Sequence, residues 1–220
     1  MTRLAPGTPH PPRLGTLAVA ASEDLLMDHD WYDVEISGSF AGADLDQLSV
    51  QAARAASAQF TGAQMERARL IDVVFDQCEL SGVRLEDASF TRVEFRGCRL
   101  SGAQFNAGRM TDVRFVDCRL DGAGFRMTHG DRVWFDGCAL TDAELYGAEL
   151  TAAHFEHCDL AGADFSQARI PDASLRGSEL HGLRGIGGLQ RPVIDEVQIL
   201  PLAYSLMTVH GVVVHTDDDE

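Results

Sequence analysis

Lysine is missing from this chain of 220 residues: all 18 basic residues are arginine, against 34 acidic ones and a formal charge of −16. That balance argues against a direct hold on DNA, RNA or an anionic membrane surface. Long apolar runs are missing too. Nothing approaches the ~20 residues of a membrane span, and the early run at 17–21 is shorter than the core of a signal peptide. Five cysteines with no export signal lead to the expectation of a reducing, cytoplasmic setting. No phosphate-binding glycine loop, zinc-ligand spacing or Ser–His–acid set is present. No catalytic, cofactor-binding or metal-ligating residue is therefore expected, and the chain is not read as an enzyme. Both ordinary periods of secondary structure, 3.6 and 2, are also lacking.

What is present is a period of five. From Phe40 to Leu180 the positions divisible by five are large and apolar, with Ala55 and Gly130 the exceptions. Two residues before each stands a small one, such as Ala63, Val83, Ala103 or Ala143. A chain with two inward residues in every five must turn a corner every five, and four sides close a square coil of 20. The cysteines report the same 20: Cys78, Cys98, Cys118, Cys138 and Cys158. So do Phe75, Phe95, Phe115, Phe135 and Phe155, and the leucines at 80, 100, 120, 140 and 160. Glycine recurs at 42, 62, 82, 102 and 122, where one corner is expected to need φ > 0. Coils stacked at the strand spacing of about 4.8 Å give a rod of about seven coils, on the order of 34 Å.

The cysteines occupy the small inward slot and are read as core. Thiolates ligating one metal must converge to ~2.3 Å, whereas parallel stacked side chains do not converge. A disulfide needs Cβ atoms closer than stacked coils allow.

The segments "AELYGAELTAAHF" (143–155) and "ADFSQARIPDASL" (163–175) resemble the pentapeptide-repeat family, with its A-(D/N)-L-x-x unit. The resemblance covers about two-thirds of the chain and implies an all-β right-handed quadrilateral β-helix. Expected boundaries are a disordered proline-rich tail at 1–25, an N-terminal cap at 26–35, repeats at 36–182, a link, helix and short strand at 183–215, and an acidic tail at 216–220. Trp31 and Tyr32 are expected to cover the open N-terminal end. Whether Met1 or Met27 begins the mature protein stays open. His154 and His157 read as surface histidines. Thr128 and Gly130 interrupt the small and large slots, either as a packing blemish filled by neighbours or as a loop kinked for a partner.

Charge is uneven. Residues 36–132 hold 13 acids and 12 arginines, a net of −1, while residues 133–180 hold 9 acids and 2 arginines, a net of −7. In the first half, opposite charges recur 20 residues apart, as in Asp76 and Arg96 or Asp72, Arg92, Asp112 and Arg132. In the second half acids stack on acids: Asp136 on Glu156, Glu144 on Asp164, Asp159 on Glu179. With Asp142 and Glu149 these form the expected partner-binding surface. Seven charges over ~11.5 Å is one per ~1.6 Å, close to the ~1.7 Å of duplex DNA.

Beyond Leu180, Asp195 and Gln198 form a capping box for a helix near 196–209, with Pro201 kinking it or shifting its start and Gly211 ending it. Val197, Leu200, Tyr204 and Met207 make one apolar stripe; Ile199, Leu202, Leu206 and Val209 make another. One is expected to close the rod and the other to form a two-fold homodimer. This arrangement is similar to the pentapeptide-repeat subgroup that includes the mycobacterial fluoroquinolone-resistance protein. That resemblance implies a dimer joined through its C-terminal helices and a protein partner, DNA gyrase, bound by DNA mimicry. The 14 arginines of the repeats depart from it, and a general interaction scaffold is the alternative.

Overall fold

The computed structural model describes residues 7–20 and 22–209, with side chains to Met207. They form the expected all-β solenoid, finished by a short C-terminal helix. The strands are β1 (Ala18–Ala20), β2 (Asp30–Tyr32), β3 (Val34–Ile36), β4 (Ser49–Ala56), β5 (Arg69–Asp76), β6 (Ser89–Arg96), β7 (Arg109–Val116), β8 (His129–Asp136), β9 (Glu149–Thr151), β10 (His154–Glu156), β11 (Ile170–Pro171) and β12 (Leu189–Gln190). Two helices complete the order, α1 (Ser22–Leu25) and α2 (Ile199–Val209). Among the described residues every strand pairing is parallel, and from β4 to β10 the register is 20: Leu70 lies beside Phe90, Phe90 beside Met110, Met110 beside Gly130.

Nine levels stack rather than seven. Trp31 pairs beside Val50 at one end and Leu189 beside Ile170 at the other. Both added levels are built from 19-residue steps, which is why a strict count in fives stops short of them.

The corners explain the period. Every fifth residue from Gly42 to Gly182, glycine or not, is left-handed, with φ between 50° and 69°. Each side is thus a short extended run closed by one left-handed residue that redirects the chain. Such a conformation disfavours L-residues by about 1–2 kcal/mol. It is held because the sides bond to the next coil, as where Phe60 N–H donates to Glu79 at 2.7 Å and Leu80 N–H to Arg99 at 2.7 Å. The sequence reading placed φ > 0 at one corner of the four; all four use it.

The core is the two inward columns. Phe75, Phe95, Phe115, Phe135 and Phe155 stack nearly parallel with centroids 4.8–4.9 Å apart. Phe105 and Phe125 meet that column edge-on from the neighbouring side, 5.7 Å from Phe115 and 5.6 Å from Phe135 respectively. Apolar side chains shielded on both flanks in this way supply most of the stability of the rod.

The N-terminal segment differs from the disordered tail expected of it. Residues 7–20 run along the wall of the solenoid and end in β1, paired with β3. Composition rich in proline suggests disorder, but a pre-extended chain loses little entropy when it finds fixed acceptors. Trp31 is buried, its indole N–H donating to the Leu25 and Asp28 carbonyls, whereas Tyr32 is exposed.

Candidate protein-binding surfaces

The acidic residues of the C-terminal third stack as their spacing requires. Asp136 lies beside Glu156, Glu144 beside Asp164, and Asp159 beside Glu179. They do not share one face. Glu144 and Asp164 occupy one wall, Asp159 and Glu179 another, Glu149 a third, while Asp142, Asp136 and Glu156 sit at or beside corners.

Several are also paired with arginine, and others lie beside histidine. Glu144 meets Arg126 at 3.2 Å, Glu156 meets Arg176 at 3.0 Å, and Glu149 lies 3.4 Å from His129. Asp136 faces His157 at 3.2 Å and Asp164 faces Arg184 at 4.0 Å. Arg184 and Arg191 belong to the added coil, so residues 133–191 hold 9 acids and 4 arginines, a net of −5. Over about three coils, ~14 Å, that is one charge per ~3 Å. The DNA-like density of the shorter window is therefore reduced by nearly half. Among the described residues, Asp142, Asp159 and Glu179 have no ion-pair partner.

Folding supplies a reason for some of these acids. Asp159 accepts the N–H of Ala161 at 3.0 Å, Asp164 that of Ser166 at 2.8 Å, and Glu179 that of His181 at 2.9 Å. A carboxylate before the large inward residue thus caps the next corner, as Asx turns do. Burial works against the charge of Asp164, but the Ser166 hydroxyl and N–H and the nearby Arg184 outweigh it and hold its pKa below the ordinary value.

The first-half pairs form with some exchange of partners. Asp72 binds Arg92 and Asp112 binds Arg132, each at 2.6 Å. Arg132 also pairs with Asp131. Asp76 takes Arg54 instead of Arg96, and Arg96 turns to Glu94. The carboxylates of Asp72, Asp112 and Glu94 are buried in these pairs, whereas the more exposed Arg54–Asp76 pair contributes little.

At the C-terminal end a 3₁₀ turn at Glu196–Gln198 leads into α2, so Pro201 falls in the first helical turn and causes no kink. The capping box forms, with Gln198 accepting the Asp195 N–H at 2.7 Å. Gln198 also donates to the Leu175 and Ser178 carbonyls at 2.7 and 2.6 Å, and the Asp195 carboxylate takes the Gly177 N–H at 2.8 Å. The rod end is therefore closed by polar groups, with Leu202 and Ser205 behind them, and neither apolar stripe packs on it whole. Val197, Leu200 and Tyr204 are 82, 69 and 66 % exposed, with Ile199 and Leu206 exposed beside them; Met207 is half-buried. Val209, Gly211 and the strand expected after it have no described side chains or lie outside the described residues.

A family model for the pentapeptide repeat region matches residues 88–165, and one of eight pentapeptide repeats matches residues 68–106. Residues 68–165 are thus matched by models of pentapeptide repeats. No curated protein matches the chain. Similar solved structures include QnrB1, titled a plasmid-mediated fluoroquinolone resistance protein, at 19 % identity and TM-score 0.39 over 80 % of this chain and 99 % of that one. HetL, a pentapeptide repeat protein involved in heterocyst differentiation regulation from the cyanobacterium Nostoc sp. strain PCC 7120, shows 16 % identity and TM-score 0.31, covering 74 % and 86 %. A pentapeptide repeat protein of the Arabidopsis thaliana thylakoid lumen shows 20 % and 0.29, covering 56 % and 70 %. These scores are too low to transfer a role.

Within the pentapeptide solenoid all five cysteines are free and buried. Each thiol donates weakly to the carbonyl 23 residues earlier, Cys98 to Phe75 and Cys118 to Phe95 at 3.4 Å. Neighbouring thiols in the column and burial push Cys98 and Cys118 up to about 12. They are packing groups of the core. Thr128 uses the same acceptor rule, its hydroxyl donating to Phe105 at 3.0 Å, as does Ser178 to Phe155 at 2.8 Å. Gly130 stays in register within β8, and its missing side chain is replaced by Leu150 and Val133, whose methyls would lie 2.7 Å from an added Cβ. The irregularity is filled by neighbours rather than kinked. His154 packs on Trp134 with centroids 4.5 Å apart. Among the described residues, no group of three potential ligands could hold a metal, and no helix is long and apolar enough to cross a membrane.

Proposed function

We propose that the protein is a non-enzymatic protein-binding rod in the cytoplasm, whose acidic C-terminal third enters the cationic DNA groove of a type II topoisomerase such as DNA gyrase. The observation that carries this reading is the column of Asp159 and Glu179, neighbours in register without an ion-pair partner among the described residues. Each also caps a corner of the free rod, but like charges directly opposed repel, and a cationic partner would relieve that repulsion. The exposed Val197–Leu200–Tyr204 face lies at the same end. A two-fold dimer through it joins two acidic ends into one longer anionic surface.

The test is supercoiling by purified host gyrase across a salt series, with and without a quinolone. The reading expects inhibition or drug protection that weakens as salt rises and is lost in Asp159→Arg/Glu179→Arg. A confirmed dimer that leaves gyrase unchanged at micromolar concentration overturns it. The neutralisation of Glu144, Glu149 and Glu156 favours a second reading, a scaffold for another protein. A pull-down that recovers one such partner and no topoisomerase supports that alternative.

A further inference from the structure

One wall of the solenoid carries its own ligand. Residues 7–14, GTPHPPRL, lie along the corner column that contains Asp72, Arg92, Asp112, Arg132 and Ala152. The His10 N–H donates to Asp112 at 3.0 Å and its Nδ1 lies 2.9 Å from the same oxygen. Three residues on, the Arg13 N–H donates to Asp72 at 2.9 Å. Three residues before His10, Gly7 lies against Ala152, whose Cβ would be 3.6 Å from an added Cβ.

The step is therefore three residues of segment for 40 residues of repeat, which is two coils. Two coils rise about 9.6 Å at the strand spacing. Three residues of polyproline II rise about 9.3 Å and complete one turn. Every third N–H consequently points the same way, at the spacing of alternate corner residues. Between them Arg92 and Arg132 grip the two acceptor carboxylates and hold them in place. Proline at positions 9, 11 and 12 removes N–H groups that would have no acceptor there.

Burial singles out the same wall. Asp72, Val74, Glu94, Asp112 and Ser174 are the outward side chains of the described repeats that are buried. All lie on this side and its corner, while outward side chains elsewhere in the described repeats stay half-buried or exposed.

We propose that this wall is a binding strip for an extended, proline-rich peptide with a free N–H at every third residue. The N-terminal segment is its resident occupant and competes with a peptide supplied by another chain. Tethering gives that segment an effective concentration in the millimolar range, so a second peptide binds well only once the tethered one is loosened. This inference does not depend on the topoisomerase reading.

The test uses the full chain and His10→Pro, which keeps the polyproline geometry but removes the donors to Asp112. Trypsin cleavage after Arg13 reports release of the segment, and thermal melting reports the solenoid. The expected result is cleavage faster by about tenfold or more with melting unchanged. A fluorescent peptide of residues 7–16 is then expected to bind the variant at least tenfold more tightly than the wild type. A control peptide with proline in place of both His10 and Arg13 is expected to bind at least tenfold more weakly. Unchanged cleavage overturns the proposal. So does a released segment whose place neither peptide takes, or equal binding of both peptides.

Discussion

Replacing Phe115 by alanine tests whether the stacked rings or mere burial hold the rod. Phe115 and Phe165 are both fully buried, so a purely area-based view assigns them the same loss, about 3–5 kcal/mol for a core Phe→Ala change. Their ring neighbours differ. Phe115 stacks on Phe95 and Phe135 at 4.8 Å and meets Phe105 and Phe125 edge-on at 5.7 and 6.0 Å. Among the described residues Phe165 meets Phe155 alone, at 5.6 Å. Three extra ring pairs at roughly 0.5–1.5 kcal/mol each allow for some relaxation and still leave about 2 kcal/mol. The expectation is a loss near 5 kcal/mol for Phe115→Ala and near 3 kcal/mol for Phe165→Ala, from urea unfolding followed by circular dichroism. Equal losses, or a larger one at Phe165, refute the reasoning.

Three further outcomes follow from the same geometry. Alanine or serine at all five cysteines leaves a folded rod, since Ser178 and Thr128 already show hydroxyls satisfied in this slot; native protein at pH 8 resists iodoacetamide, whereas rapid alkylation contradicts the buried column. Gly130→Leu, which restores the repeat pattern, destabilises by about 1–3 kcal/mol because its Cβ meets Leu150 and Val133; a rise in melting temperature contradicts that packing. Burial opposes the charge on Asp112, but Arg132 and the His10 donors outweigh it and hold its pKa at about 2. A folded-state value below the unfolded one means its contribution is complete above about pH 5 and is lost as pH falls from about 4 through 2, so the His10 amide resonance should titrate near 2, and a midpoint near 4 contradicts the pairing.

The solenoid was legible because its inward residues repeat over some 140 positions with few departures, such as Ala55 and Gly130: the Phe and Cys columns each state the coil length by themselves. Corner chemistry was not legible at Gln47, Ala52 or Met127, whose left-handed backbones are imposed by neighbouring coils and carry no glycine to announce them. The end levels escaped because Trp31 and Leu189 join through 19-residue steps. Acid stacking could be read from spacing, and so could Arg176 on Glu156 and Arg184 on Asp164, each 20 residues apart; Arg126 instead reaches Glu144 diagonally, 18 residues on, in a direction that spacing does not encode. The capping box is legible as Asp195 and Gln198 three residues apart, whereas the polar closure by Gln198 leaves no apolar pattern to read. The N-terminal segment was misjudged on composition: proline content marks an extended chain, and whether it is free depends on acceptors located 59 and 102 residues away.

The direct test of the square coil is an anomalous-difference map of sulfur from a crystal of the intact protein. Corners at every fifth residue place the sulfurs of Cys78, Cys98, Cys118, Cys138 and Cys158 in one straight file, separated by about 4.8 Å. Apart from the peaks of the six methionines, sulfurs scattered through the molecule, or a file with any other spacing, contradict the coil and everything built on it.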